Sequence, residues 1–208
     1  MSHSSFLTLS LVMLLGAMLP GADFAIVTKN ALLYSRRIGI YTALGIVAGM
    51  CIHMTYCVLG LAVIIKQSSI LFHTIQYAGA AYLLYLSFML LKPHAHKKNS
   101  RKSIKPSSAS LSWKQALRQG FICNILNPKA TLFFLTIFSA ISTTNSSLGL
   151  NLLYALEMLF IALFWFCSLA YFISHQLISH WLNQSQKMIE RILGIMLLGL
   201  AFFVIFWS

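Results

Sequence analysis

The sequence predicts an all-α membrane protein: six transmembrane helices arranged as two inverted three-helix repeats. Three observations carry this prediction. Of 208 residues, 59% are hydrophobic and 9% charged, with a mean hydropathy of +0.80, whereas a soluble domain carries about 25% charged residues. Six apolar runs reach the length of about 20 residues that a helix needs to cross a bilayer. A basic, Ser- and Pro-containing linker then divides the chain into three runs and three runs, and an odd number of spans per half gives the halves opposite orientations.

In order, the predicted spans are 6–28, 38–65, 70–91, 120–141, 148–174 and 189–207. The first lacks the basic n-region of a secretory signal, since the first lysine is Lys29, so it reads as a retained span. The short alternating segments of a barrel are absent, and helices are then the way to satisfy the backbone in lipid. The organisation follows as residues 1–91, a first repeat; 92–119, a basic cytoplasmic linker; and 120–208, a second repeat.

The connections carry uneven positive charge. The first holds Lys29, Arg36 and Arg37. The third holds eight basic residues between Lys92 and Arg118. The fifth holds Lys187 and Arg191. These are thirteen of the fifteen basic residues; the second connection holds Lys66, and the fourth holds none. Cytoplasmic loops attract Lys and Arg, so the odd connections are expected in the cytoplasm and both termini outside. The net charge of +12 is a topology signal rather than a nucleic-acid surface, because the cations cluster between apolar runs. In the linker they sit where anionic lipid headgroups are in reach. His94 and His96 lie among those lysines and read as basic loop rather than metal site.

Spans 1 and 4 correspond under the repeat, and both are interrupted. Span 1 contains Pro20-Gly21 and span 4 contains Asn127-Pro128. Proline removes a backbone donor and clashes with the carbonyl one turn earlier, so each break is expected to face protein or a water-filled cavity. Interruptions at corresponding positions of two halves point to a transporter's binding site. A charge follows each: Asp23 and Lys129, set about 8 Å and about 14 Å from the cytoplasmic ends of their spans. Intramembrane charges cost about 2.5–3.5 kcal/mol on insertion scales and usually face the bundle interior and pair. The two are therefore expected to form one charge pair. Glu157 lies at a depth near Lys129, as its second partner or as a proton-carrying group. Glu190, at a span end, reads as a solvated cap.

Small residues mark close helix contacts. They are Gly45-x-x-x-Gly49 in span 2, Gly79 with its alanine neighbours in span 3, and Gly194 and Gly199 in span 6; they read as internal seams rather than dimer interfaces. His53, between Cys51 and Cys57, reads as a core histidine bonded across helices, since a metal site needs more ligands than one helix supplies here. The four cysteines all lie in apolar runs without a CxxC pair and read as small hydrophobes. No metal or cofactor is expected.

The chain resembles the LysE-type amino-acid exporter family, the lysine exporters and homoserine/threonine efflux proteins, over nearly its whole length. The matching stretches are LPGADFAIVTKNALLYSRRIGIYTALGIVAGM, QYAGAAYLLYLSFMLLK, GFICNILNPKATLFFL and, more loosely, ILGIMLLGLAF. The resemblance implies a six-helix carrier of the bacterial inner membrane that expels amino acids or close analogues, driven by proton antiport, and it implies no enzyme. Carried over by position, Pro20, Gly21, Asp23, Asn124, Asn127, Pro128 and Lys129 are the candidate transport-site residues. The family's second proline is Ala22 here, so span 1 is expected to bend less than its relatives' do. Two alternatives compete: a metal or cation exporter, favoured slightly by Cys51, His53 and Cys57, and a membrane thiol–disulfide carrier, disfavoured because span 1 holds no cysteine.

Overall fold

The structure is a computed structural model that describes residues 3–92, 110–141, 147–173 and 176–207. Among these, all regular structure is helical: α1 (His3–Met18), α2 (Ala22–Leu33), α3 (Arg36–Gln67), α4 (Ser69–Leu91), α5 (Trp113–Ile125), α6 (Pro128–Ile141), α7 (Leu148–Phe172) and α8 (Gln176–Trp207). The linker's Pro93, His94, His96, Pro106 and central basic residues lie outside the described residues.

Three helices are long and apolar enough to cross a membrane: α3, α4 and α7. The α1–α2 and α5–α6 pairs bring this to five when each is counted as one bent span. The predicted sixth span, 189–207, falls within α8. Boundaries differ from expectation where polar residues extend a helix beyond its apolar run. The helix of α5 begins at Trp113, inside the segment read as linker. There Ser112 and Gln115 form a reciprocal capping box, with the Ser112 hydroxyl accepting from Gln115 N at 3.3 Å and Gln115 Oε1 accepting from Ser112 N at 3.0 Å. Similarly, α2 runs on to Leu33, past the predicted limit at residue 28.

The helices pack without long side chains at several seams. A Cβ on Gly45 of α3 would lie 2.0 Å from the Leu117 carbonyl oxygen of α5, and one on Gly120 of α5 would lie 2.1 Å from the Thr42 carbonyl oxygen of α3. Two glycines thus let these backbones touch from both sides. Gly49, a turn beyond Gly45, faces Asn124, and Gly79 of α4 faces Thr136 of α6. Polar side chains join α4 to α8: the Ser87 hydroxyl donates to Gly194 O at 2.7 Å and Gln76 Nε2 to Val204 O at 3.3 Å. Large apolar side chains point outward, among them Phe160 and Phe164 of α7 and Phe88 of α4, as expected where lipid rather than water is the solvent.

The contacts pair elements across the two halves. α3 packs on both α5 and α7, α1 on α7, α3 on α6, α2 on α7, and α4 on α8. Exchanging the first-half helices α1–α4 with α5–α8 maps the α3–α5 contact onto α7–α1, and α3–α6 onto α7–α2.

Candidate functional site

The first break begins where α1 ends. Leu19, Pro20 and Gly21 separate α1 from α2, the backbone of Gly21 is extended (φ −165, ψ −168), and the two helices meet at a bend of 60°. The second break lies at Leu126–Asn127, where α5 and α6 meet at 59°. Span 1 thus bends as much as span 4 with a single proline. An extended Gly21 stops the helix outright, and Ala22 starts a new one, so no second proline is needed.

The second break builds itself from three residues. Pro128 opens α6 at the position where its missing N–H is no loss. Asn127 caps the new helix, its Oδ1 accepting from Lys129 N at 3.1 Å. Proline leaves free the carbonyl four residues earlier, that of Asn124. Two donors take it up: Asn127 N at 3.0 Å and His53 Nε2 of α3 at 3.1 Å. A carbonyl only accepts, so the His53 proton sits on Nε2, while Nδ1 faces the Tyr56 hydroxyl at 2.6 Å. His53 thus bonds across helices, at the break itself.

The two breaks meet at Asp23. This carboxylate lies in the first turn of α2, the helix end that favours negative charge. Its Oδ2 accepts from Asn124 Nδ2 at 3.0 Å and from Asn127 Nδ2 at 3.1 Å, which ties the first break to the second. Asp23 is 9% exposed, yet its Oδ1 and the Oδ1 of Asn124 are buried without a hydrogen-bond partner. The Lys129 ammonium donates instead to Leu19 O, at 3.1 Å, a carbonyl at the C-terminal end of α1 where a cation is favoured. Asp23 and Lys129 therefore face a common space without forming the direct ion pair expected from the sequence; each is held by groups of the opposite break. Gly21 makes room for this, since a Cβ there would stand 3.0 Å from Lys129 Nζ. Pro20 and Pro128 are exposed at the corners of the breaks.

That space is a cavity of about 30 Å³, lined by Gly21, Asp23, Asn127 and Lys129 on its polar side and by Met13, Met50, Phe24, Phe133, Phe134 and Phe166 on its apolar side. A water needs about 10–15 Å³ on this measure, so the cavity has room for a water or two. Phe133 closes it from one side, its ring seated in the space that Gly16 of α1 leaves open.

Glu157 stands apart. It does not line the cavity, and its Oε1 accepts from the Ser10 hydroxyl of α1. Cys51 is exposed, while His53 and Cys57 are buried. Among the described residues no three His, Cys, Asp or Glu side chains converge as a metal site, and the four cysteines are free. A polar cluster below the site had no counterpart in the sequence reading: Asn30 of α2 donates from Nδ2 to Thr42 Oγ1 of α3 at 2.9 Å and to Gln119 Oε1 of α5 at 3.1 Å. Its signal was spacing, since Asp23, Val27 and Asn30 share the buried face of α2.

These features match those of a known group of proteins. The family model of the LysE type translocators matches residues 14–207. The membrane protein YrhP of Bacillus subtilis is 36% identical over 193 residues, covering 87% of this chain and 89% of its own. The membrane protein YahN of Escherichia coli is 26% identical over 192 residues, 92% of this chain and 84% of its own. The threonine efflux protein of Escherichia coli is 31% identical over 134 residues, 64% of this chain and 65% of its own. No solved structure matches the chain. The family model and these relatives show that the chain belongs to the LysE type translocator family, and is a multi-pass membrane transporter rather than an enzyme.

Proposed function

We propose that the protein exports a neutral amino acid across the bacterial inner membrane in exchange for protons, with the substrate bound where the two breaks meet. The observation that carries this reading is the pair of groups lining the cavity: one ammonium, Lys129, and one buried acceptor without a donor, Asp23 Oδ1. An α-amino acid supplies what they lack. Its amine donates to Asp23 Oδ1. Its carboxylate meets Lys129 at the N-terminal end of α6, where the helix dipole favours negative charge. Its side chain lies against the aromatic and methionine wall.

The charge count selects the substrate class. Among the described residues, Asp23 and Lys129 are the only ionisable ones lining the cavity, so a zwitterion uses both and a side-chain charge has no counter-ion. Burying an unpaired charge is strongly unfavourable. Threonine, named for several relatives, fits this rule and lysine does not. The present cavity holds only a water-sized space, so loading requires it to widen, with Phe133 leaving the groove at Gly16 and α1 parting from α6.

Six spans in two inverted repeats, with both termini outside, give the machine its alternation. Support comes from the matched 60° and 59° bends and from two contacts, α3–α5 and α3–α6, that map onto α7–α1 and α7–α2 when the halves are exchanged. Rocking one repeat against the other would open the site first to the cytoplasm and then outward. The test is efflux from cells loaded with dipeptides. Threonine efflux should exceed lysine efflux and fall at least tenfold in Asp23→Ala and Lys129→Ala variants that reach the membrane. Unchanged efflux in both variants would overturn the site, and faster lysine than threonine efflux would overturn the substrate class.

A further inference from the structure

Glu157 and Ser10 form a polar station that the substrate site does not use. It lies at the α1–α7 contact. The Ser10 hydroxyl donates to Glu157 Oε1, while Glu157 Oε2 is buried with no partner. One turn nearer the start of each helix, Phe6 and Tyr154 pack with ring centroids 4.9 Å apart and cover the pair. In the other direction along α1, Met13 and Ala17 line the cavity, the latter seven residues on, or about 10 Å of helix. In the proposed orientation, Glu157 therefore stands between the outer surface and the substrate.

The two carboxyl groups have different partners. Asp23 Oδ2 faces two amide N–H donors, which serve a carboxylate and have nothing to accept from an acid. Glu157 faces a hydroxyl, which both donates and accepts. Ser10 can donate to the ionised group or accept from the protonated one, so Glu157 keeps a partner in both states. Among the described residues, the other titratable groups on elements packed against α7 are engaged elsewhere or exposed. His53 and Tyr56 bond each other, Arg36 and Arg37 lie over Tyr171 and Tyr41, Cys57 is buried in the core, and Lys29 is exposed.

We propose that Glu157, positioned by Ser10, is the proton-carrying group of the exchange, separate from the substrate site. A proton arriving from outside binds the Glu157 carboxylate and leaves it toward the cytoplasm, one proton inward for each substrate molecule outward. This rests on the exporter reading, and the experiment separates the two. In vesicles containing the full-length protein, L-threonine counterflow at equal pH tests the exporter, while L-threonine accumulation driven by a pH gradient tests coupling. Wild type should show both. Glu157→Gln should keep counterflow within threefold and lose gradient-driven accumulation, and Ser10→Ala should shift the pH profile of accumulation while Ser10→Thr, which retains the hydroxyl, restores it. Gradient-driven accumulation by Glu157→Gln, or loss of its counterflow too, would overturn the assignment. A readout independent of transport is the pH-difference infrared spectrum of the purified protein: Glu157→Gln should lose a carboxyl band that wild type and Asp23→Asn both show. Persistence of every wild-type carboxyl band in Glu157→Gln would refute the proposal even if threonine were not the substrate.

Discussion

Replacing Gly45 by alanine adds one methyl group at a point where the molecule has no room for it. The new Cβ would stand 2.0 Å from Leu117 O and 2.9 Å from Leu117 C and Phe121 N. All three are backbone atoms, so no rotamer change relieves the clash. To reach the 3.4 Å of ordinary contact, α3 and α5 must separate by about 1.4 Å. Overpacking of this kind costs about 1–3 kcal/mol. At roughly 2–4 °C per kcal/mol for a chain of this size, the apparent Tm in detergent should fall by about 2–12 °C. The damage should reach transport, because Gly49 on the same seam abuts Asn124 and Asn124 holds Asp23. Gly60 and Gly149 are the controls: nothing lies within 4 Å of a Cβ at either, and alanine is the better helix former by about 0.5–1 kcal/mol. Thermal unfolding followed by fluorescence-detected chromatography compares the three. If Gly45→Ala melts with the two controls, the close approach of α3 and α5 is wrong.

Other consequences follow from the same contacts. Asn127→Ala removes the α6 cap, worth about 0.5–2 kcal/mol, together with a bond to Asp23; the apparent Tm should fall and the threonine KM rise, whereas Asn127→Asp should keep the cap and lose the amide donor. His53→Ala leaves the proline-freed carbonyl of Asn124 with Asn127 N as its donor, and should destabilise by about 1–3 kcal/mol, measured by the same unfolding assay. Gly21→Ala places a Cβ 3.0 Å from Lys129 Nζ, the movable end of a side chain, so threonine transport should weaken while the Tm stays within the range of the glycine controls.

Much of the architecture could be read from hydropathy because lipid imposes a simple rule: a crossing segment must be apolar and must satisfy its own backbone. Pro20-Gly21 and Asn127-Pro128 marked the breaks because proline and glycine act locally, whatever surrounds them. What could not be read was the partner of each polar atom. Asp23 and Lys129 looked like a pair from their depths, yet two asparagines from the opposite break hold the first and a helix-end carbonyl receives the second. Charge alone does not disclose which neutral dipoles a fold will aim at it. Likewise the extension of α5 to Trp113 depends on a cap at Ser112, a signal carried by hydrogen-bonding side chains in a segment whose composition reads as linker. The size of the bend at Pro20-Gly21 was equally hidden, since it follows from the extended backbone of Gly21 rather than from the number of prolines.

The central claim is that one substrate joins both breaks, amine to Asp23 and carboxylate to Lys129. The most direct measurement is equilibrium binding to the purified full-length protein of L-threonine, of threoninol, which lacks the carboxylate, and of the analogue with a hydroxyl in place of the amine, each against wild type, Asp23→Asn and Lys129→Gln. Wild type should bind threonine at least tenfold more tightly than either analogue, about 1.4 kcal/mol. Lys129→Gln should lose the preference over threoninol alone, and Asp23→Asn the preference over the amine-free analogue alone. Preferences that survive both substitutions, or that are lost together in each, would contradict the account.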